Sequence, residues 1–179
     1  KLPHTPMGQM CLDGTLWVEN GTPYMIYCHE WVEMMDGTME LVELKPDLSG
    51  TVGQPIRLFC ASAAEWSTGS LREDGTRTYV TDGCFLYRTQ TGKLLMIWSS
   101  FKNGEYAIGI AESMTGKVFG PWKQQKEPLF DKHGGHGMIF KTFDGRLCVV
   151  LHAPNSPGGA ERAHIFEIED LGHTLKLKE

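Results

Sequence analysis

Val80-Thr81-Asp82-Gly83-Cys84-Phe85-Leu86-Tyr87 is followed by Gly92 and then by Leu94-Leu95-Met96-Ile97-Trp98. A polar residue and a glycine open an apolar run, a polar turn with glycine ends it, and a second apolar run returns. The chain repeats this twice. Asp13-Gly14-Thr15-Leu16-Trp17-Val18 leads through Gly21 to Tyr24-Met25-Ile26-Tyr27. His136-Gly137-Met138-Ile139-Phe140 leads through Asp144-Gly145 to Leu147-Cys148-Val149-Val150-Leu151-His152. Short apolar runs bounded by Gly, Asn, Asp and Pro read as β-strands. Windows with apolar residues at i, i+3 and i+4 are scarce, so helix is not expected. Asn20-Gly21, Asp36-Gly37, Asp74-Gly75, Asn103-Gly104 and Asp144-Gly145 are hairpin-turn dipeptides, because these residues tolerate positive φ.

Each unit runs on past its first hairpin. Met39–Leu44 and Ile56–Phe59 follow the first, Tyr106–Ala111, Gly120–Trp122 and Pro128–Phe130 the second, and His164–Ile168 and Leu175–Leu177 the third. Each unit thus holds about four strands, the size of one propeller blade. The units start 82 − 13 = 69 and 136 − 82 = 54 residues apart. The fold class read from this is all-β: three propeller blades of about four antiparallel strands each, at about 5–60, 61–130 and 131–179. Radial stacking brings equivalent positions to one axis, and Asp13, Asp82 and His136 read as those positions. Three blades are too few to close an ordinary ring, and an open ring exposes strand edges. The chain is therefore expected to lack N-terminal blades, with completion of the ring by another chain as the alternative.

The formal charge of −5 and the lack of a Lys/Arg run argue against a nucleic-acid partner. No apolar stretch approaches the roughly 20 residues of a membrane span, and Lys1–Pro6 carries no signal-peptide core. The five cysteines, at 11, 28, 60, 84 and 148, include no C-x-x-C pair. They read as free thiols in apolar strands rather than as a zinc cage or disulfide framework.

Three stretches carry a resemblance: Leu12–Glu19, Val80–Tyr87 and Gly135–Phe140. They resemble the C-terminal three blades of a five-bladed glycoside hydrolase of family 43, which includes arabinofuranosidases, xylosidases, endo-arabinanases and some galactosidases. Tyr24-Met25-Ile26-Tyr27-Cys28-His29-Glu30-Trp31 resembles a branch labelled endo-xylanase or arabinosidase in gut polysaccharide degraders. The resemblance implies three acidic residues in a central funnel: a base opening the first blade, an aspartate tuning the acid from the third, and an acid opening the fourth. By position, Asp13 is the tuning aspartate, Asp82 stands where the acid belongs, and the base lies in blades outside this chain. His136 matches an axial histidine found near a central calcium or water. The implied partner is a carbohydrate, and the implied location is secreted or periplasmic.

Asp82 departs from the pattern, which usually reads Glu-Gly-Pro where this chain has Asp82-Gly83-Cys84. A side chain one methylene shorter holds its carboxyl about 1 Å further back, while acid catalysis needs hydrogen-bond reach. Glu30, beside His29 and Trp31, is the rival acid. Inverting hydrolysis needs one carboxylic acid to protonate the leaving oxygen and one carboxylate to activate water, roughly 6.5–9.5 Å apart. Trp17, Trp31 and Trp66 are candidates to face sugars, with His29 beside them. His29 and His152, each ending an apolar strand, also read as hydrogen-bonded wall residues, and Trp98 as core. A glycan-binding propeller without catalysis is the alternative that the shortened acid suggests.

Overall fold

The computed structural model describes residues 4–178 of the chain. The first sheet is a meander of β1 (Cys11–Glu19), β2 (Thr22–His29), β3 (Thr38–Leu44) and β4 (Thr51–Cys60), with the single helical turn α1 (Trp31–Met34) between β2 and β3. A small hairpin, β5 (Ser70–Leu71) and β6 (Arg77–Thr78), precedes the second sheet. That sheet is β7 (Asp82–Arg88), β8 (Leu94–Lys102), β9 (Glu105–Ser113) and β10 (Trp122–Gln124). The third is β11 (Gly135–Lys141), β12 (Leu147–Ala153), β13 (Arg162–Asp170) and β14 (Leu175–Leu177). Each four-stranded sheet pairs its strands in chain order, antiparallel throughout, as a propeller blade does.

Strand alternation explains the packing. Ile26, Cys28, Met39 and Leu41 of the first blade meet Leu94, Met96 and Trp98 of the second in one core. The opposite parity of β8, Leu95 and Ile97, packs with Ile139, Val149 and Leu151 of the third blade in another. The middle blade is apolar on both faces, so the near-continuous apolar run Leu94–Trp98 is fully buried. β7 lies between β1 and β11, so the three first strands gather at the axis.

The turn dipeptides divide into two kinds. Asn20-Gly21 and Asn103-Gly104 are two-residue hairpin loops with both residues at positive φ, between the pairs Glu19–Thr22 and Lys102–Glu105. Asp36-Gly37 is not a hairpin turn. Asp36 bridges in parallel to Tyr79, and a Cβ on Gly37 would stand 2.6 Å from Thr81 Oγ1, so this glycine allows two segments to approach. Pro128–Phe130 also departs from expectation. The fourth strand of its blade is β10, and Phe130 makes only an isolated bridge to Ile108. All five cysteines are free, and Cys28, Cys84 and Cys148 are buried.

Every first strand carries a β-bulge at the axis. The pairing shifts between Leu12 and Thr15, between Asp82 and Phe85, and between Gly135 and Met138. The first bulge residue is Asp13, Gly83 or His136, with φ of 57°, 54° and 55°. The three equivalent positions are therefore Asp13, Gly83 and His136. Asp82 stands one residue earlier, level with Leu12 and Gly135. This corrects the equivalence read from the sequence, which aligned the polar residues by type. A one-residue step in a strand reverses the direction of a side chain, so Asp82 reaches the axis by a different path from Asp13.

Candidate active site

The bulges turn a repeated strand into a site. Positive φ at Asp13 and His136 aims both side chains toward the axis. Asp13 Oδ2 accepts the Gly83 N–H at 3.0 Å, and its Oδ1 stands 3.7 Å from His136 Nε2. Gly83 is glycine of necessity. Its φ is +54°, and a Cβ there would lie 2.9 Å from His136 Cα. Cys84 Sγ lies 3.3 Å from the Asp13 carbonyl and 3.4 Å from that of Ile26. The three bulges line a cavity of about 110 Å³. One blade thus fixes the carboxylate of another.

Asp82 pairs with Ser99 on β8, and its Oδ2 accepts the Tyr106 hydroxyl at 2.7 Å. Ser99 Oγ in turn accepts the His136 N–H at 2.8 Å. Burial raises the Asp82 pKa from 3.8 to about 6, the charges of Asp13 and Glu30 push the same way, and the Tyr106 hydrogen bond pulls against them. An acid of this kind keeps its proton into the weakly acidic range. Burial and the neighbouring Asp82 charge hold the Tyr106 phenol well above its ordinary range, so Tyr106 stays a donor.

Glu30 follows the end of β2. Its N–H donates to the Met10 carbonyl at 2.8 Å, and its carbonyl accepts from Met34 at 2.9 Å, so its backbone is pinned. Its carboxyl pKa is raised by burial and by Asp13. Asp13, Asp82 and Glu30 therefore form one electrostatic group at the end of the axis where β1 and β7 begin.

Of the four expected sugar-facing residues, three stand elsewhere in the fold, and Trp31 adjoins Glu30 in the chain. Trp31 opens α1 beside Glu30, partly exposed, with the Arg72 guanidinium 5.3 Å from its ring centroid. Trp17 is four residues along β1 from Asp13, about 13 Å at strand rise. It lines a separate cleft under Arg88, 5.7 Å away. Trp66 is 4% exposed, packs 4.9 Å from the core residue Trp98, and fills the space that a Cβ on Gly109 would take, so it is core rather than a subsite. His29 is also corrected. It is buried, with Nδ1 3.2 Å from Glu40 Oε1 and Nε2 2.9 Å from Glu33 Oε2. Glu40 also accepts from Tyr27 and Thr38, so His29 ties α1 to β3 and has no nitrogen left for substrate.

His136 was the expected metal residue. Calcium takes roughly six to eight oxygen ligands. Here His136 offers one nitrogen to a carboxylate that already accepts a backbone N–H. Among the described residues no group of three or more His, Cys, Asp or Glu stands at ligand spacing. These residues by themselves do not fit a calcium cage.

Tyr106, Ser99 and His152 are the neighbours that sequence reading missed as site residues. The available signal was Gly135. A glycine opening a strand marks close approach, and a Cβ there would stand 2.3 Å from Tyr106 Cε1.

No curated protein sequence matches the chain. Among solved structures, an endo-arabinase from Bacteroides thetaiotaomicron VPI-5482 is 46% identical, with a TM-score of 0.86 over 93% of this chain and 58% of that one. An endo-1,4-beta-xylanase from the same organism is 19% identical, with a TM-score of 0.79 over 100% and 61%. An alpha-L-arabinofuranosidase from Lactobacillus brevis is 15% identical, with a TM-score of 0.72 over 98% and 59%. The last two bear on the fold alone. The chain spans about three fifths of each of these structures. A family model, Glycosyl hydrolases family 43, matches residues 1–169. With three antiparallel blades around a carboxylate-bearing axis and that match over nearly its whole length, the chain belongs to glycosyl hydrolase family 43.

Proposed function

We propose that this chain supplies the acid side of a glycosidase that cleaves arabinose- or xylose-containing plant polysaccharides with inversion. The observation that carries the reading is Asp82, a partly buried carboxyl at the axis whose Oδ2 accepts the Tyr106 hydroxyl and whose pKa is raised to about 6 by burial and by the charges of Asp13 and Glu30. Asp82 protonates the leaving oxygen. Asp13, fixed by the Gly83 N–H, keeps a negative charge near it and holds its proton on. The carboxylate that activates water comes from blades outside this chain, across the gap of roughly 6.5–9.5 Å that inversion requires. Trp31, beside Glu30, offers an aromatic face to a sugar. The 46% identity to an endo-arabinase favours arabinose-containing polymers over xylose-containing ones. A polymeric substrate fits a secreted or periplasmic enzyme.

The decisive experiment measures sugar release from arabinan and xylan by the full-length protein, wild type against Asp82→Asn and Glu30→Gln. If Asp82 is the acid, its variant loses about 10²- to 10⁴-fold in kcat and still binds the polymer. Loss confined to Glu30→Gln transfers the role to Glu30. The shortened side chain at 82 supports a second reading, a glycan binder without turnover. In that case the wild type binds arabinan, releases no sugar, and Asp82→Asn changes neither.

A further inference from the structure

We propose that Tyr106 is a positioning residue for Asp82: its hydroxyl occupies Oδ2 and leaves Oδ1 as the oxygen that carries the transferred proton. This rests on the reading of Asp82 as the acid. Tyr106 is not on a first strand. It belongs to β9 and reaches across to the start of β7, where its hydroxyl lies 2.7 Å from Asp82 Oδ2. The ring is 3% exposed and closely bounded. It stacks on His152 at 5.6 Å and 20°, tilts against Phe101 at 5.2 Å, and covers Gly135. His152 is itself held, Nε2 to Asn155 Oδ1, at 2.8 Å.

A carboxylic acid has two oxygens on which the proton can sit. A permanent donor on one of them assigns the proton to the other. The arrangement matters more for aspartate than for glutamate, because the shorter side chain has less freedom to correct a misplaced oxygen. In the reaction the Asp82 Oδ1–H bond breaks and the proton passes to the glycosidic oxygen. The bond from that oxygen to the anomeric carbon breaks with its electron pair on the oxygen. Water attacks the anomeric carbon and yields its proton to the carboxylate outside this chain. Asp82 becomes negative as the proton leaves, so the Tyr106 hydrogen bond gains charge and strengthens along the reaction. The ionisable groups that face Asp82 are Asp13 from β1, Cys28 from β2, Glu30 beyond it, Tyr106 from β9 and His136 from β11.

Tyr106→Phe in the full-length protein tests this, because Phe keeps the ring against Gly135 and His152. With a sugar leaving group kcat should fall about ten-fold, a fraction of a full general-acid contribution, with KM within about two-fold. The basic limb of kcat/KM should move above pH 6, since the lost bond favoured the ionised carboxyl. With a dinitrophenyl glycoside, which needs little protonation to depart, the loss should shrink to about three-fold. Equal losses on both substrates with an unmoved limb would mean a structural role and overturn the proposal. If the Phe variant does not fold, difluorotyrosine in place of Tyr106 gives a stronger donor and should move the limb down; an unmoved limb again overturns it. Asp82→Asn separates the two readings. Full turnover in that variant removes Asp82 as the acid and Tyr106 with it. An inactive Asp82→Asn beside an unaffected Tyr106→Phe removes Tyr106 alone.

Discussion

Folding carries the Asp82 carboxyl from water, where its pKa is 3.8, to a site where burial and two neighbouring carboxyls raise it to about 6. The native state therefore binds this proton more tightly than the unfolded chain. Its contribution to stability is fully present below about pH 4 and is lost as pH rises through 6. Near neutral pH the ionised side chain costs the fold roughly 2–3 kcal/mol. Asp82→Asn keeps an acceptor for Tyr106 and removes the charge. In denaturant titrations of the full-length protein the variant should be more stable than wild type at pH 7, and the difference should vanish near pH 4. Equal stability at both values would mean that Asp82 is well solvated. With Asp82 as the proposed acid, activity follows the same proton in the same sense and should also fall as pH rises through about 6.

At the scale of the strand, the bulge is what brings a residue of each blade to the axis. Two residues oppose one at the start of β1, β7 and β11, and the extra residue turns toward the axis. The polar-residue-and-glycine signature of these starts is legible in the sequence, since only a few residue types accept positive φ. Which residue of each signature occupies the bulge is not legible. Asp13 and His136 do, but in the middle blade Gly83 does, and Asp82 falls one step earlier. Gly135 is the position level with Asp82 in the third blade, and it is bare because the Tyr106 ring lies over it. Gly135→Ala places a methyl 2.3 Å from Tyr106 Cε1. Displacing the ring should cost about 1–3 kcal/mol and also lower kcat by withdrawing the hydroxyl from Asp82. A thermal melt together with sugar release checks both, and an unchanged melting temperature would show that the ring has room to move.

For the molecule as a whole, the outer faces of the end blades matter most. On β1, Leu16 and Val18 point away from the middle blade and are 54% and 56% exposed. On the far side Met138 of β11 and Ile165 of β13 are 53% and 63% exposed, flanking Val150 between them. Faces of this kind associate. The 179-residue chain expressed alone should self-associate in sedimentation experiments, and Leu16→Lys with Ile165→Lys should reduce that; a monomer at all concentrations would show that these faces tolerate water. The sequence alone determined most of the strands, the three units and the polar residues near their starts, because strand alternation and turn chemistry are local and leave a periodic trace. Tertiary structure alone decided that Trp66 is core, that His29 is bracketed by Glu33 and Glu40, and that Tyr106 holds Asp82. Those contacts join residues from separate strands and blades, and their geometry depends on a one-residue bulge that no local pattern specifies.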